Sequence, residues 1–336
     1  MRAIAAETPR ALLESDRGPL AIFDSISEPI LHGKGEEWSD LCRVGNLVAA
    51  MFGCQSMVEP LRIVLVRRPD ASFATSEPKV WGYTARPNLE AAGKEHDAFV
   101  ALLRASGVEV WYHDEPQKGK ADAIFVHDPV IVTDRGAIVL RMGKELRRGE
   151  EASIAKTLDK HGVPVLGSLR SPATAEGGDL LWVGHDFLAV GQGFRTNAKG
   201  LLRLRELLVG SGVHVEPVPL PDYKGPEACL HLMSLISLVD EDLAVIYPRL
   251  LPAPFHVTLK KLGFDFIEVP DGEFDRMAPN VLAVGPRDCI MLGGNPITKE
   301  RLEDAGCRVR TYHGDEISMK AEGGATCLTR PILRAR

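Results

Sequence analysis

The chain has 336 residues, 45% hydrophobic and 26% charged, with a formal net charge of −6. That suffices for one large or two ordinary domains with a sizeable core, and the acidic balance argues against a nucleic-acid binder, which would carry a basic face. No apolar run approaches a membrane span, the N-terminus does not read as a signal peptide, and six scattered cysteines form no Cys-x-x-Cys pair, so a reducing, cytoplasmic setting is expected.

Residues 1–58 mix glycine, serine, acids and short apolar pieces, with a helix expected near 38–52. They read as an N-terminal extension, either packed on the body or partly disordered. The rest, 59–336, reads as one domain. It opens with the β-rich run Leu61–Val66, stopped by Pro69. The polar stretch 70–88 carries Phe73, Trp81 and Tyr83. A stretch of that length serves either as a lid or as a surface loop held by aromatic anchors.

From there one pattern recurs. A helical stretch ends in glycine, and a short β-type run follows. The glycines are Gly107, Gly162, Gly212, Gly263 and Gly306, spaced 43 to 55 residues apart. Each suits the position after a helix, where a left-handed backbone ends it. Further β-like stretches follow, such as 123–126, 130–133 and 137–141. Five such units predict an α/β protein with pseudo-symmetric repeats.

Polar residues keep the same beat. Asp128 lies 21 residues after Gly107, and Glu176 and Asp179 lie 14 and 17 after Gly162. His231 follows Gly212 by 19, Asn280 follows Gly263 by 17, and Cys327 follows Gly306 by 21. Equivalent positions of units set around an axis converge, so these side chains are expected to face one cavity. Each also has a plainer reading. Asp128 before Pro129 suits a turn. Glu176-Gly177-Gly178-Asp179 suits a hairpin. Arg195, just before a helix that Asn197 can cap, could be a solvated charge or could grip a carboxylate. His231 in an apolar strand could be a satisfied core residue, or a proton shuttle if a cysteine shares its site. Cys327, after Gly323-Gly324, could be a structural thiol or a nucleophile.

Glu176-Gly177-Gly178-Asp179, Arg195-Thr196-Asn197, His231-Leu232 and Gly323-Gly324-Ala325-Thr326-Cys327-Leu328-Thr329 together resemble the guanidino-group-modifying enzymes. The chain looks most like the dimethylarginine dimethylaminohydrolase and amidinotransferase branch. The resemblance spans roughly 61–333 and implies a five-bladed α/β propeller, the pentein fold. It implies Cys327 as nucleophile, His231 as general acid and base, and Glu176 as the group orienting that histidine. Asp128, perhaps joined by Asp179, would bind the guanidinium. Arg195 would hold the substrate carboxylate, helped by Arg148 or its neighbour Arg147. Two positions depart from the family pattern. Met233 stands where arginine deiminases carry an acid, and His127 stands where bacterial dimethylarginine hydrolases tend to have Glu.

The implied activity is hydrolysis of a C–N bond of methylated arginine or arginine through a covalent thiouronium, giving citrulline and an amine. No metal or organic cofactor is expected. The partner is a small guanidino substrate, with no nucleic acid and no membrane, and self-association is left open. Amidino transfer or arginine deiminase and dihydrolase chemistry would use the same site. A non-catalytic pentein that binds a partner is the reading from a different class, and it predicts no functional thiol.

Overall fold

Strand β1 (Leu61–Val66) is buried along nearly its whole length, and Pro69 stops it as expected. Two short helices, Ala71–Ala74 and Pro78–Trp81, occupy the stretch read as a lid or anchored loop. Its aromatic residues favour anchoring. Phe73 and Tyr83 are buried, and the Tyr83 hydroxyl donates to Asp122 Oδ1 at 2.8 Å. The helix Leu89–Ala105 follows. Asn88 Oδ1 accepts from the Ala91 N–H at 2.9 Å, taking one of the orphan donors of the first turn. Ala92, His96, Phe99, Val100 and Leu103 form the buried face, at the three- and four-residue spacing of an amphipathic helix. Gly107 then takes φ +80° and the chain enters β2 (Glu109–Tyr112).

This is a computed structural model, and it describes residues 51–225, 228 and 230–335. The helix expected near 38–52 lies almost wholly outside the described residues. So does most of the extension. Residues 53–58, which the sequence reading placed in that extension, belong to the body. Gly53 N–H donates to Ile332 O at 2.9 Å, and Cys54 and Val58 are buried.

All five glycines of the repeat are left-handed, with φ between +73° and +93°. Four directly follow a helix's capping residue. After the helix Ala198–Leu207 an additional left-handed Gly210 precedes Gly212. The repeats form five three-stranded sheets. In four of them an antiparallel hairpin is followed by a helix and a third strand parallel to the second. These are β3 (Val130–Thr133), β4 (Gly136–Val139) and β5 (Val165–Ser168), and β6 (Leu180–Gly184), β7 (Phe187–Gln192) and β8 (His214–Pro219). Next come β9 (Ile236–Asp240), β10 (Leu243–Ile246) and β11 (Asp265–Glu268), then β12 (Leu282–Gly285), β13 (Asp288–Leu292) and β14 (Arg308–Tyr312). The helix supplies the crossover that a parallel strand requires. The remaining sheet has the same strand order but joins distant parts of the chain. Its β15 (Arg330–Arg334) lies antiparallel to β1, and β2 lies parallel to β1.

Two expected strands are tight turns instead. Ala121–Ile124 is a 3-10 helix, and so is Leu232–Ser234, with His231 as its N-cap and β9 starting only at Ile236. A short apolar run buried on every side carries no period to tell a strand from a buried turn. Both turns lie beside the site, and the bends aim Asp122 and His231 at it.

Candidate active site

Cys327 is half-buried at the end of a tight loop. The Leu328 N–H donates to Gly324 O at 3.1 Å, and the His127 N–H donates to Cys327 O at 3.3 Å. Gly323 and Gly324 serve close approach and not left-handed backbone. A Cβ on Gly323 would lie 2.2 Å from the Phe125 ring, and one on Gly324 would lie 2.5 Å from Asn280 Oδ1. The left-handed residue of this loop is Glu322, at φ +59°. Asn280 reaches under the loop. Its Oδ1 accepts from the Thr326 N–H at 2.9 Å, and its Nδ2 lies 3.4 Å from Cys327 Sγ.

His231 lines the same cavity as Cys327, Asp128, Arg147, Arg195 and Asn280. Its Nε2 lies 2.8 Å from Glu176 Oε2, and its side chain accepts from the Ser234 N–H. Together these set Nε2 as the N–H that Glu176 receives. Gly178 makes room, since a Cβ there would lie 2.5 Å from His231 Nδ1. Glu176 is fully buried. Its Oε1 accepts from the Lys144 N–H at 2.9 Å, and Arg195 Nη1 lies 3.7 Å from its Oε2. Burial pushes its pKa up, but the His231 hydrogen bond and the neighbouring positive charges outweigh that and hold it well below the usual carboxylate range.

Asp128 is buried beside this pair. Its Oδ1 accepts from the Gly178 N–H at 3.0 Å and its Oδ2 from Arg147 Nη1 at 2.6 Å. Burial again opposes ionisation, and the Arg147 and His231 charges outweigh it. Arg147 is locked in place. It also donates to Glu150 Oε2 at 2.9 Å and to Phe125 O at 3.0 Å. Its neighbour Arg148 turns away, pairing with Glu145 at 2.6 Å on the surface, because it follows the 3-10 turn Glu145–Arg147 that points residue 147 inward. Of the two arginines the sequence left open, the cavity therefore holds Arg147 and not Arg148.

Asp179 does not join the cavity wall either. Its Oδ2 accepts from Thr196 Oγ1 at 2.6 Å and its Oδ1 from the Leu232 N–H at 2.9 Å. It ties the Gly-Gly turn, the Arg195-Thr196-Asn197 segment and the histidine turn together. Burial raises its pKa to about 6, against the lowering by His231 and Thr196. His127 is buried too. Its Nδ1 donates to Thr329 O at 2.8 Å, fastening the Asp128 loop to the cysteine loop, and burial pushes its pKa down to about 3. Asn197 caps its helix as expected, accepting from the Gly200 N–H at 2.8 Å.

Sequence reasoning missed Asp122 and Lys144. Lys144 Nζ donates to Asp122 Oδ2 and to Trp81 O, both at 2.7 Å, and lies 5.1 Å from the Trp81 ring centroid. Asp122 falls within an apolar run and Lys144 within a charged one, so neither stands out by period. Asn280 was on the beat, but its partner was not foreseeable. One ligand atom from each of Asp128, Glu176 and His231 lies within 4.8 Å of the others.

A family model described as N,N dimethylarginine dimethylhydrolase, eukaryotic, matches residues 70–334. An N(G),N(G)-dimethylarginine dimethylaminohydrolase of Pseudomonas aeruginosa is 30% identical over 248 residues, covering 74% of this chain and 91% of that one. One from Streptomyces coelicolor is 29% identical over 282 residues, covering 80% and 96%. An arginine deiminase of Listeria welshimeri is 23% identical, covering 62% and 61%. Among solved structures, a cysteine-to-serine mutant of the Pseudomonas aeruginosa enzyme, complexed with citrulline, is similar with a TM-score of 0.68 at 27% identity, covering 81% and 99%. The N-terminal domain of ArgZ, an arginine dihydrolase from cyanobacteria, shares the fold with a TM-score of 0.69 at 22% identity, covering 81% and 97%.

Proposed function

The chain belongs to the dimethylarginine dimethylaminohydrolase family and is a guanidino-group hydrolase, and from that premise we propose that it hydrolyses methylated arginine with Cys327 as nucleophile. One observation carries this reading. A single cavity is lined by the Cys327 thiol, His231 and the Asp128 carboxylate, with Glu176 bonded to His231 from behind. A guanidinium carbon is a poor electrophile, and the arrangement answers that difficulty in three ways.

Asp128 keeps one lone pair on each oxygen beyond those taken by Gly178 and Arg147, and these accept two N–H bonds of the planar cation. Arg195 holds the substrate carboxylate. The reacting carbon is thereby aimed at the sulfur. The thiolate adds, forming the S–C bond. His231 passes the proton it took from the Cys327 thiol to the departing amine as the C–N bond breaks, leaving a covalent thiouronium. Water then adds while His231 takes its proton, the S–C bond breaks, and citrulline and the free thiol result. Glu176 keeps the imidazole oriented throughout.

The five alike sheets stand as blades around one axis, as in a pentein propeller. The site lies on that axis within a single catalytic domain. Among the described residues no helix is long and apolar enough to cross a membrane. A reducing cytoplasm suits a free catalytic thiol. Plain arginine is the rival substrate. Met233 weighs against it, being apolar and buried in the core, so it adds no carboxylate to grip an unsubstituted guanidinium. With an amine in place of water, the same site would transfer an amidino group.

The test is to incubate the protein with arginine, monomethylarginine, asymmetric dimethylarginine and an arginine–glycine mixture, with Cys327→Ser as control, and identify products by mass spectrometry. Citrulline from the methylated substrates alone is expected. Citrulline or ornithine from arginine would move the protein to the deiminase, dihydrolase or transferase reading. No Cys327-dependent product would overturn the assignment.

A further inference from the structure

Lys144 is the N-cap of the 3-10 turn that delivers Arg147, and its side chain runs along the cavity wall to Asp122. Asp122 is a buried carboxylate with a partner on each oxygen. The Tyr83 hydroxyl donates to Oδ1 at 2.8 Å and the Lys144 ammonium to Oδ2 at 2.7 Å. The ammonium also donates to Trp81 O at 2.7 Å, one of the carbonyls that the end of the short helix Pro78–Trp81 leaves without a helical partner. The Trp81 ring lies beside it with its centroid at 5.1 Å, as in a cation–π contact. A carboxylate, a carbonyl oxygen and an aromatic ring are together what an ammonium ligand needs when it leaves water. Here the chain fills that place with an ammonium of its own.

The backbone fixes Lys144 there. Its N–H donates to Glu176 Oε1 at 2.9 Å. Gly143 before it packs so closely that a Cβ would lie 2.5 Å from Arg195 O.

An α-amino acid carries two charges at the end remote from its guanidinium, a carboxylate and an ammonium. Among the described residues the carboxylates lining the cavity are Asp122, Asp128, Asp275 and Glu322. Asp128 is assigned to the guanidinium. Asp275 and Glu322 are exposed, where a pair with a cation gains little, and Asp275 already has Lys224 at 3.4 Å. Asp122 is buried, but its charge is answered by Lys144, and a second ammonium there meets like charge. A substrate ammonium therefore finds no desolvated acid of its own.

We propose that Lys144 is a specificity-determining residue whose ammonium stands in for the α-ammonium of a substrate, so that the cavity reads guanidinium and carboxylate alone. The substrate class widens to ω-guanidino carboxylates with or without an α-amino group. This rests on the cavity being a guanidino site and adds that the α-amino group is dispensable.

The test is calorimetric titration of two ligands into the Cys327→Ser protein, which needs no turnover. One ligand is asymmetric dimethylarginine. The other is its des-amino analogue, with hydrogen in place of the α-amino group and otherwise identical. The two are expected to bind within about threefold of one another. With Lys144→Met added, Asp122 and Trp81 O are released to the ligand. Dimethylarginine should then bind roughly 10- to 100-fold more tightly than the analogue, the worth of a charge-assisted hydrogen bond. A Lys144 that merely braced the wall would weaken both ligands alike and leave their ratio unchanged. Thermal melts confirm the fold. Should Lys144→Met fail to fold, Lys144→Gln decides, since it can still donate to Asp122 but carries no charge, and the ratio should move the same way. A preference for dimethylarginine above about threefold with Lys144 in place, or a ratio that the substitution does not move, overturns the proposal while the guanidino reading stands. Binding of neither ligand sinks the guanidino reading, and this inference with it.

Discussion

Glu176 shows how much the site demands of one side chain. It is an ionised carboxylate with no exposure to solvent, held that way by His231 on one oxygen and the Lys144 N–H on the other. Replacing it by Gln keeps the shape. The Lys144 N–H still requires an oxygen, so the new NH2 turns to His231 Nε2 and forces the imidazole into the other tautomer. The Ser234 N–H opposes that tautomer. Glu176→Gln is therefore expected to lower kcat for citrulline formation by on the order of 10²–10⁴ with KM within a few-fold. A steady-state assay with kcat within threefold of wild type would contradict the orienting role. Gly178 makes the same point through space. A methyl group there overlaps the imidazole, and displacement of a catalytic group by about 1 Å costs roughly 10²-fold in rate. Gly178→Ala should lose that factor in kcat and also lower the melting temperature, since the clash is with a buried side chain, and an unchanged kcat would show that the ring has slack.

At the scale of elements, the helix Leu89–Ala105 carries His96 on its buried face with neither ring nitrogen partnered. Burial pushes its pKa down to about 4. His113 and His127 are likewise pushed down, to about 4 and about 3, chiefly by burial. The sign follows from linkage. The folded pKa values lie below the ordinary 6.5, so these groups contribute stability that is present above pH 6.5 and lost as the pH falls toward 4, where the unfolded chain takes protons that the folded one refuses. Each contributes a slope of up to about 1.4 kcal/mol per pH unit in that window. His96→Met should flatten the fall in urea-derived stability between pH 6.5 and 4 by about one proton's worth. An unaltered slope would mean that His96 takes up its proton in the folded state. The same helix illustrates what a sequence discloses. Its period, its Asn88 cap and its terminal Gly107 are local, so they were readable, as were the five left-handed glycines and the residues that follow each by a fixed interval. The 3-10 turns carrying Asp122 and following His231 were not readable, since their form is dictated by tertiary packing around an apolar run. The choice of Arg147 over Arg148 was hidden for a related reason. One residue of a tight turn decides which guanidinium faces inward, and composition does not record it.

The five sheets share one strand order, but one of them is assembled from β1, β2 and the distant β15. Its hairpin position is filled by a strand arriving from the far end of the sequence, so the repeat is complete only when the chain closes on itself. Ile332 at the centre of β15 is fully buried, among Ile63, Leu65, Val130 and Val132, and β15 also packs beside β3. The closing strand is thereby keyed to the neighbouring sheet as well as to its own. Cys327 lies three residues before it, and His127 and Asp128 lie just before β3. Loosening the closure therefore loosens the Cys327 loop against Asp128. Ile332→Ala removes a branched side chain from this joint and should cost about 2–5 kcal/mol. Because the joint connects sheets at both ends of the chain, the loss should be felt globally, as a single transition at lower urea with an unchanged m-value. A separate early transition, with the main one left in place, would instead mean that β15 detaches alone and that the other four sheets stand without the closure.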